Sequence, residues 1–383
     1  MRLRRSVLAQ VGTISRFGTG AVVPASSGER DSFVLADDSG NVVRFAWSKG
    51  AVVNTASTVL SGEEAVRALV ADAGASDGGV YVSRGSRIER VSMQARRSGA
   101  EVSVPTQLSE PLQLLRIRSA PSSGEVQVWI AGDQIFAHMG GAAMETLRER
   151  QFFMSPDCIT DIAILSFERD ARTAAVLACK DSSLRVLVQQ SAEVATAAQG
   201  AAEDARALLV KSTDGPVTAL AAFPAPRADA LECSPPLARA RVVYGTSRGV
   251  IAAVEVTLAK AAAAASGEPP YAAPLWRIPN RHSRGGVTTL AIVDLYRDGV
   301  LRIVAGRHDG SLEVYELPTA VGEDTTVEGA EATTKKTRTN EEATKMCEAH
   351  CVFRADLGEL IRGIYAGRVS RAGVTELIVT TFR

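Results

Sequence analysis

Cysteine is scarce in this chain: Cys158, Cys179, Cys233, Cys347 and Cys351 are all that 383 residues hold. An odd number without dense spacing gives no disulfide framework and fits a reducing compartment. Histidine is as scarce, with His138, His282, His308 and His350, and no nucleophile, base and acid stand out as a catalytic set. Cys347, His350 and Cys351 place three soft ligands together, but a structural zinc site needs four and no partner pair exists elsewhere, so no metal is assigned. The other cysteines read as small apolar fillers on or beside strands. Asp294 and Asp298 lie in a loop where some propellers hold calcium, yet Tyr296 and Arg302 occupy the other ligand positions and the loop reads as a metal-free turn. Gly18-Thr19-Gly20 lacks the strand-to-helix context of a phosphate loop, and no cofactor is expected. Neither sign of charge dominates: 43 basic residues face 43 acidic ones, which predicts no nucleic-acid or membrane affinity for the chain as a whole. No run approaches the ~18 consecutive apolar residues of a membrane helix. The basic start, Met1 to Arg5, reads as surface ahead of a strand rather than as a mitochondrial presequence.

What the chain does have is a repeat. The run Gly285 to Pro318 reads as three strands, Val287–Val293, Val300–Ala305 and Ser311–Leu317. The last two are joined through Asp309-Gly310, a strong hairpin signal because both turn residues tolerate positive φ. A lone hairpin is marginal in water, so copies are required. Five more central hairpins follow the same grammar, turning at Gly40, Gly85, Asp133, Asp181 and Gly249. Successive turns lie 45, 48, 48, 68 and 61 residues apart. A period of roughly 40 to 50 residues with about four strands per unit marks a β-propeller. The fold class is therefore all-β, a propeller of about seven blades, with residues 1–383 as a single domain whose blades pack on their neighbours.

Taken in order, Val7–Ile14 and Gly20–Pro24 are candidate strands able to close the ring. Thr160–Leu165, Val217–Ala222 and Val287–Ile292 are predicted innermost strands, aliphatic apart from Asp161, with their threonines taken as packing. Residues 192–207, 224–238 and 259–273 read as loop insertions. Residues 320–349, rich in Thr, Glu and Lys, read as disordered except for a helical turn over Glu341–His350. Leu360–Tyr365 and Thr375–Thr380 begin a last blade that is either incomplete, with further strands beyond residue 383, or closed by residues 7–24.

Arg277, Arg281, His282 and Arg284 form a basic cluster ahead of an inner strand. The cluster is either a contact for a partner or a phosphate, or a solvated loop between blades.

From Thr160 onward the chain resembles the N-terminal propeller family of Bardet-Biedl syndrome 7 subunits of the BBSome. The matching residues are Leu177-Ala178-Cys179-Lys180-Asp181 with Leu184–Leu187, Gly245-Thr246-Ser247 with Gly249, and Trp276-Arg277-Ile278 with Asn280. They continue through Arg284-Gly285-Gly286, Asp298-Gly299-Val300, and Gly306-Arg307 with Asp309-Gly310 and Glu313-Val314-Tyr315. The resemblance implies a seven-bladed propeller heading a longer protein. It also implies a non-enzymatic scaffold of a coat-like complex that traffics membrane proteins to and from cilia or flagella. Implied partners are the other BBSome subunits and, indirectly, a membrane through an Arf-like GTPase. Implied locations are cytoplasm, cilium or flagellum, and basal body, and the isolated fragment is expected to be monomeric. The rival expectations are a propeller hydrolase or lyase, and a scaffold propeller of another complex.

Overall fold

The structure, a computed structural model, describes residues 19–25, 30–62, 64–72, 78–94, 97–106, 108–119, 125–167, 173–189, 207–211, 214–224, 237–259, 271–316, 349–370 and 374–382. These residues form a β-propeller. The first blade is β1 (Gly20–Val23), β2 (Ser32–Ala36), β3 (Asn41–Ser48) and β4 (Ala51–Val59). The second is β5 (Val66–Ala71), β6 (Val80–Arg84), β7 (Arg87–Gln94) and β8 (Arg97–Pro105). The third is β9 (Leu114–Ser119), β10 (Val126–Ala131), β11 (Ile135–Gly141) and β12 (Arg148–Met154). The fourth is β13 (Ile159–Ser166), β14 (Thr173–Cys179), β15 (Ser183–Gln189) and β16 (Ala207–Lys211). The fifth is β17 (Val217–Ala222), β18 (Leu237–Thr246), β19 (Ile251–Ala259) and β20 (Tyr271–Ile278). The sixth is β21 (Val287–Val293), β22 (Arg302–Arg307), β23 (Ser311–Glu316) and β24 (His350–Asp356). Among the described residues the seventh holds β25 (Leu360–Gly367) and β26 (Glu376–Phe382) alone.

Within each blade the strands are antiparallel and in sequence order, and the first strand of each lies beside the first strand of the next. β25 packs beside β1, so the ring closes. The six central hairpins stand where the turn grammar placed them. At three of them an aspartate caps its own turn, with Asp37, Asp181 and Asp309 accepting from the backbone N–H two residues on, the side chain mimicking a backbone turn.

Several expectations shift. Gly20–Val23 forms the inner strand of the first blade, bonded to β2, and does not complete the seventh. The seventh blade is thus incomplete as described, and Val7–Ile14 lies outside the described residues. Ala207, Leu237-Ala238, Ala259 and Tyr271–Ala273 belong to strands rather than to insertions; the remainder of those insertions, apart from Pro224, and nearly all of 320–349 lie outside the described residues. His350 opens β24, where a helical turn was predicted.

Blades hold one another by apolar faces and by a recurring polar stitch. Between the third and fourth blades Trp129, Phe136, Ile162 and Leu177 are fully buried together, each such side chain worth roughly 1.5–3 kcal/mol of transfer. In three successive blades the pairing of the inner strand skips Thr160, Thr218 and Thr288. The bulge turns each hydroxyl toward the following blade, where it donates to Val217 O at 2.7 Å, Val287 O at 2.5 Å and Ile361 O at 2.8 Å. These threonines are blade-to-blade ties, not packing alone. Close approach is needed there: a Cβ at Gly306 would sit 2.6 Å from Ile361, so only glycine fits.

The closing seam joins the first and seventh blades. Phe33, Leu35, Phe45, Val369 and Ile378 form its apolar core, with Tyr365 tilted against Phe33 at 5.2 Å and accepting from Gly20 N at 3.0 Å. Asp31, buried, accepts from Arg368 N at 2.8 Å and pairs with its guanidinium at 3.1 Å. Burial would raise that carboxyl; the Arg368 bonds outweigh it and hold it below the usual range.

A second buried polar unit lies under the third blade. His138, 4% exposed, stacks on Trp129 at 5.1 Å and 12°, while Trp129 Nε1 donates to Gln189 in the fourth blade at 2.8 Å. Burial, with Arg150 nearby, drives the imidazole pKa down to about 4.

Two outcomes follow. Asp31→Ala is expected to cost about 1–3 kcal/mol in urea unfolding, since it strands buried donors, and Asp31→Ala with Arg368→Ala should cost less than the sum of the single changes; full additivity would contradict the seam. The unfolded chain takes up a proton near the ordinary histidine value of 6.5 while folded His138 resists until about 4, so stability should fall across that window by roughly 3 kcal/mol. His138→Phe should flatten that part of the pH profile of the urea midpoint, and an unchanged slope would contradict the assignment.

Candidate interaction pocket

The basic cluster read from the sequence divides in the structure. Arg277, near the end of β20, makes a two-pronged pair with Asp214, Nε to Oδ2 at 2.9 Å and Nη2 to Oδ1 at 2.7 Å. It ties the fifth blade's outer strand to the turn before its inner one. Arg281, His282 and Arg284 instead rim a cavity of about 220 Å³ between the fifth and sixth blades, and Arg277 is not part of it.

The loop carrying them is preformed. Asn280 clamps it, with Oδ1 accepting from Arg284 N at 2.9 Å and Nδ2 donating to Arg284 O at 2.7 Å and Arg248 O at 3.0 Å. The turn that meets it ends in Gly249 at φ +80°, where a Cβ would lie 2.4 Å from the Asn280 amide and 2.7 Å from Arg307. Arg281 and His282 are exposed, and Arg284 is half-buried.

The floor is ionic. Arg307 and Glu313, 2% and 1% exposed, pair at 2.6 Å. Glu313 also accepts from Tyr315 at 2.7 Å and from Arg354 at 2.9 Å, so two guanidiniums share one carboxylate. Arg307 Nη1 donates to Gly249 O at 2.9 Å and Gly285 O at 3.1 Å, pinning two loops from below. Burial would raise the Glu313 carboxyl, but Arg307 and the hydrogen bonds reverse this and hold it below its ordinary 4.5. Burial and the Glu313 charge push the Tyr315 hydroxyl up to about 12.

Arg307, Glu313 and Arg354 were not read as site residues. Arg307 and Glu313 looked like hairpin positions, and Arg354 lies beyond the 320–349 stretch, so that only the β23–β24 register sets it opposite Glu313.

The axis corrects a second expectation. Beyond the three aliphatic inner strands, Arg67 stands on β5, Arg116 and Arg118 on β9, and Arg362 on β25. Asp161 is committed to the wall: it pairs with Arg116 at 2.7 Å and accepts from Leu220 N at 2.8 Å, linking three blades. Burial pushes its carboxyl up against the pull of Arg116. Arg118 and Ser166 edge an open cavity of about 370 Å³ there. In the loop after β21, Asp294 accepts from Asp298 N and Gly299 N, and Asp298 pairs with Arg302 at 2.8 Å. No cluster of three metal-type ligands occurs among the described residues.

Glu313→Gln should cost about 3–5 kcal/mol at pH 7, because it leaves Arg307 buried without its counter-charge. The carboxyl is lowered on folding, so its contribution is present above 4.5 and disappears as pH falls through the folded value. The gap between the parent and Glu313→Gln in urea midpoint should therefore narrow in acid; a gap constant with pH would contradict the pairing.

Comparison with known proteins agrees with this architecture. The family model described as BBS7 beta-propeller matches residues 21–383. The BBSome complex member BBS7 of Mus musculus is 23% identical over 385 residues, covering 100% of this chain and 43% of that protein. The chain thus spans less than half the length of that curated relative. Two solved structures of BBS1N in complex with ARL6DN share the fold. The mercury-soaked one has a TM-score of 0.56 at 11% identity, covering 97% of this chain and 90% of that one. The lead-soaked one has a TM-score of 0.55 at 12% identity, covering 97% and 91%. With the propeller in place and its family matched across nearly the whole chain, the chain belongs to the BBS7 β-propeller family.

Proposed function

We propose that this propeller is a non-enzymatic docking scaffold of a BBSome-type complex that carries membrane proteins to and from cilia or flagella. The observation that carries the reading is the family match over residues 21–383. The mouse relative bears the name of a BBSome complex member, and the related BBS1N propeller was solved with ARL6DN bound. In this reading the chain works in the cytoplasm, the cilium or flagellum and the basal body, among the other BBSome subunits. It meets the membrane indirectly, through an Arf-like GTPase.

The chemistry of the molecule supports a scaffold. Its acids are engaged in structural ties: buried Asp31 at the closing seam, half-buried Asp161 across three blades and buried Glu313 under one pocket. What it offers to partners is the loop 279–286, held rigid by Asn280 and Arg307, and rigid loops on a fixed frame are where propellers dock other proteins. Arg281, His282 and Arg284 are the residues proposed to meet a partner; Arg277 serves the frame.

Affinity purification of the tagged full-length protein from flagellated cells, followed by mass spectrometry, is expected to recover the other BBSome subunits in near-equal amounts. Recovery of none would contradict the scaffold reading. The isolated fragment should scatter light as a monomer, and a stable dimer at micromolar concentration would contradict that part.

A further inference from the structure

We infer that the pocket between the fifth and sixth blades is a receptor for a phosphoryl group carried by a serine or threonine of a partner protein. This rests on the docking-scaffold reading and makes it specific. Arg281, Arg284, Arg307 and Arg354 surround the cavity, and Glu313 is the one acid among the residues that line it. Glu313 serves both Arg307 and Arg354, so even the floor keeps an excess positive charge. Asp309, whose charge interacts with Arg284, spends its oxygens on backbone N–H groups, Gly285 N on Oδ2 at 3.1 Å and Ser311 N on Oδ1 at 3.0 Å.

Unfilled hydrogen-bonding capacity points the same way. Arg284 Nε is buried without a partner, and its Nη1 reaches only Ser311 Oγ, at the long distance of 3.5 Å. A guanidinium offers five donors in a planar fork, and a buried donor left unmade is costly. A tetrahedral dianion can accept from Arg284 and from the exposed Arg281 and His282 together. Such charge-assisted, two-pronged bonds are the strong ones. A carboxylate brings half the charge and a single plane.

The surroundings favour a protein over a membrane as the source. The cavity is recessed, at about 220 Å³, or roughly seven waters' worth of space. Ile278, Pro279, Ala349 and Cys351 line its apolar side, a fit for the carbon stem of a side chain. A lipid surface calls instead for a broad basic face, and the chain's charge is balanced overall, 43 against 43. The loop is fixed before any ligand arrives, since Asn280 and Arg307 hold it from both sides, so little ordering entropy opposes binding.

The test measures fluorescence anisotropy of the full chain with a degenerate phosphoserine and phosphothreonine peptide library. The unphosphorylated library and vesicles containing acidic phosphoinositides run in parallel. The phosphorylated library is expected to bind, and the unphosphorylated one at least about tenfold more weakly. Arg281→Glu, at an exposed position that leaves folding intact, should weaken binding by about tenfold or more. Arg284→Lys should retain part of the affinity and Arg284→Ala little. Arg277→Ala, outside the pocket, should leave binding unchanged. Equal binding of both libraries, indifference to Arg281→Glu, or vesicle binding that Arg281→Glu abolishes in place of peptide binding would each overturn the inference. Recovery of BBSome subunits is scored separately with the unsubstituted full-length protein. Subunits recovered by a protein that shows no preference for the phosphorylated library refute the pocket alone, whereas their absence refutes the scaffold.

Discussion

A four-stranded blade has two apolar faces and cannot cover either by itself, so every blade depends on the one beside it. The chain meets this constraint with a repeated device on the inner strands: a bulge that frees a threonine hydroxyl to bond the next blade's backbone. Opposite two of these bulges glycine, Gly245 and Gly306, lets the sheets come close, and at the Thr160 bulge Ala178 takes that place. Around this ring the last contact matters most, because an open propeller would leave two faces wet. Phe33, Tyr365 and the Asp31–Arg368 pair occupy that seam.

The same geometry builds the pocket. Where the fifth blade passes to the sixth, Arg307 reaches under both the Gly249 turn and the loop before β21. Its charge is neutralised by Glu313, which must also serve Arg354 and Tyr315. The clasp is structural in origin. Its consequence is a recess whose floor and rim carry more positive than negative charge, set in a molecule with no net charge.

The hairpins were readable in the sequence because turn chemistry is local: Asp309-Gly310 or Asp37 to Gly40 announces itself within a few residues. The strand Val287–Val293 was read to the residue for the same reason. The pocket was only half readable. Arg281, His282 and Arg284 are adjacent in the chain and visible as a basic run. Arg354, by contrast, reaches Glu313 through pairing across β23 and β24, and Arg277 leaves the cluster for Asp214, a partner far away in sequence. Arg67, Arg116 and Arg118 escape the sequence reading because β5 and β9 are not recognised there as inner strands, whereas Arg362 lies on Leu360–Tyr365, which that reading already places at the start of the last blade.

The role proposed for this face of the propeller is to seat a partner. Hydrogen–deuterium exchange of the full-length protein, free and in its purified complex, reads that directly. Slower exchange at residues 279–286 and 349–354 in the complex, with the β12 strand on the far side of the ring unchanged, is the expected result. Identical exchange of those two segments in the free and assembled protein would contradict the claim.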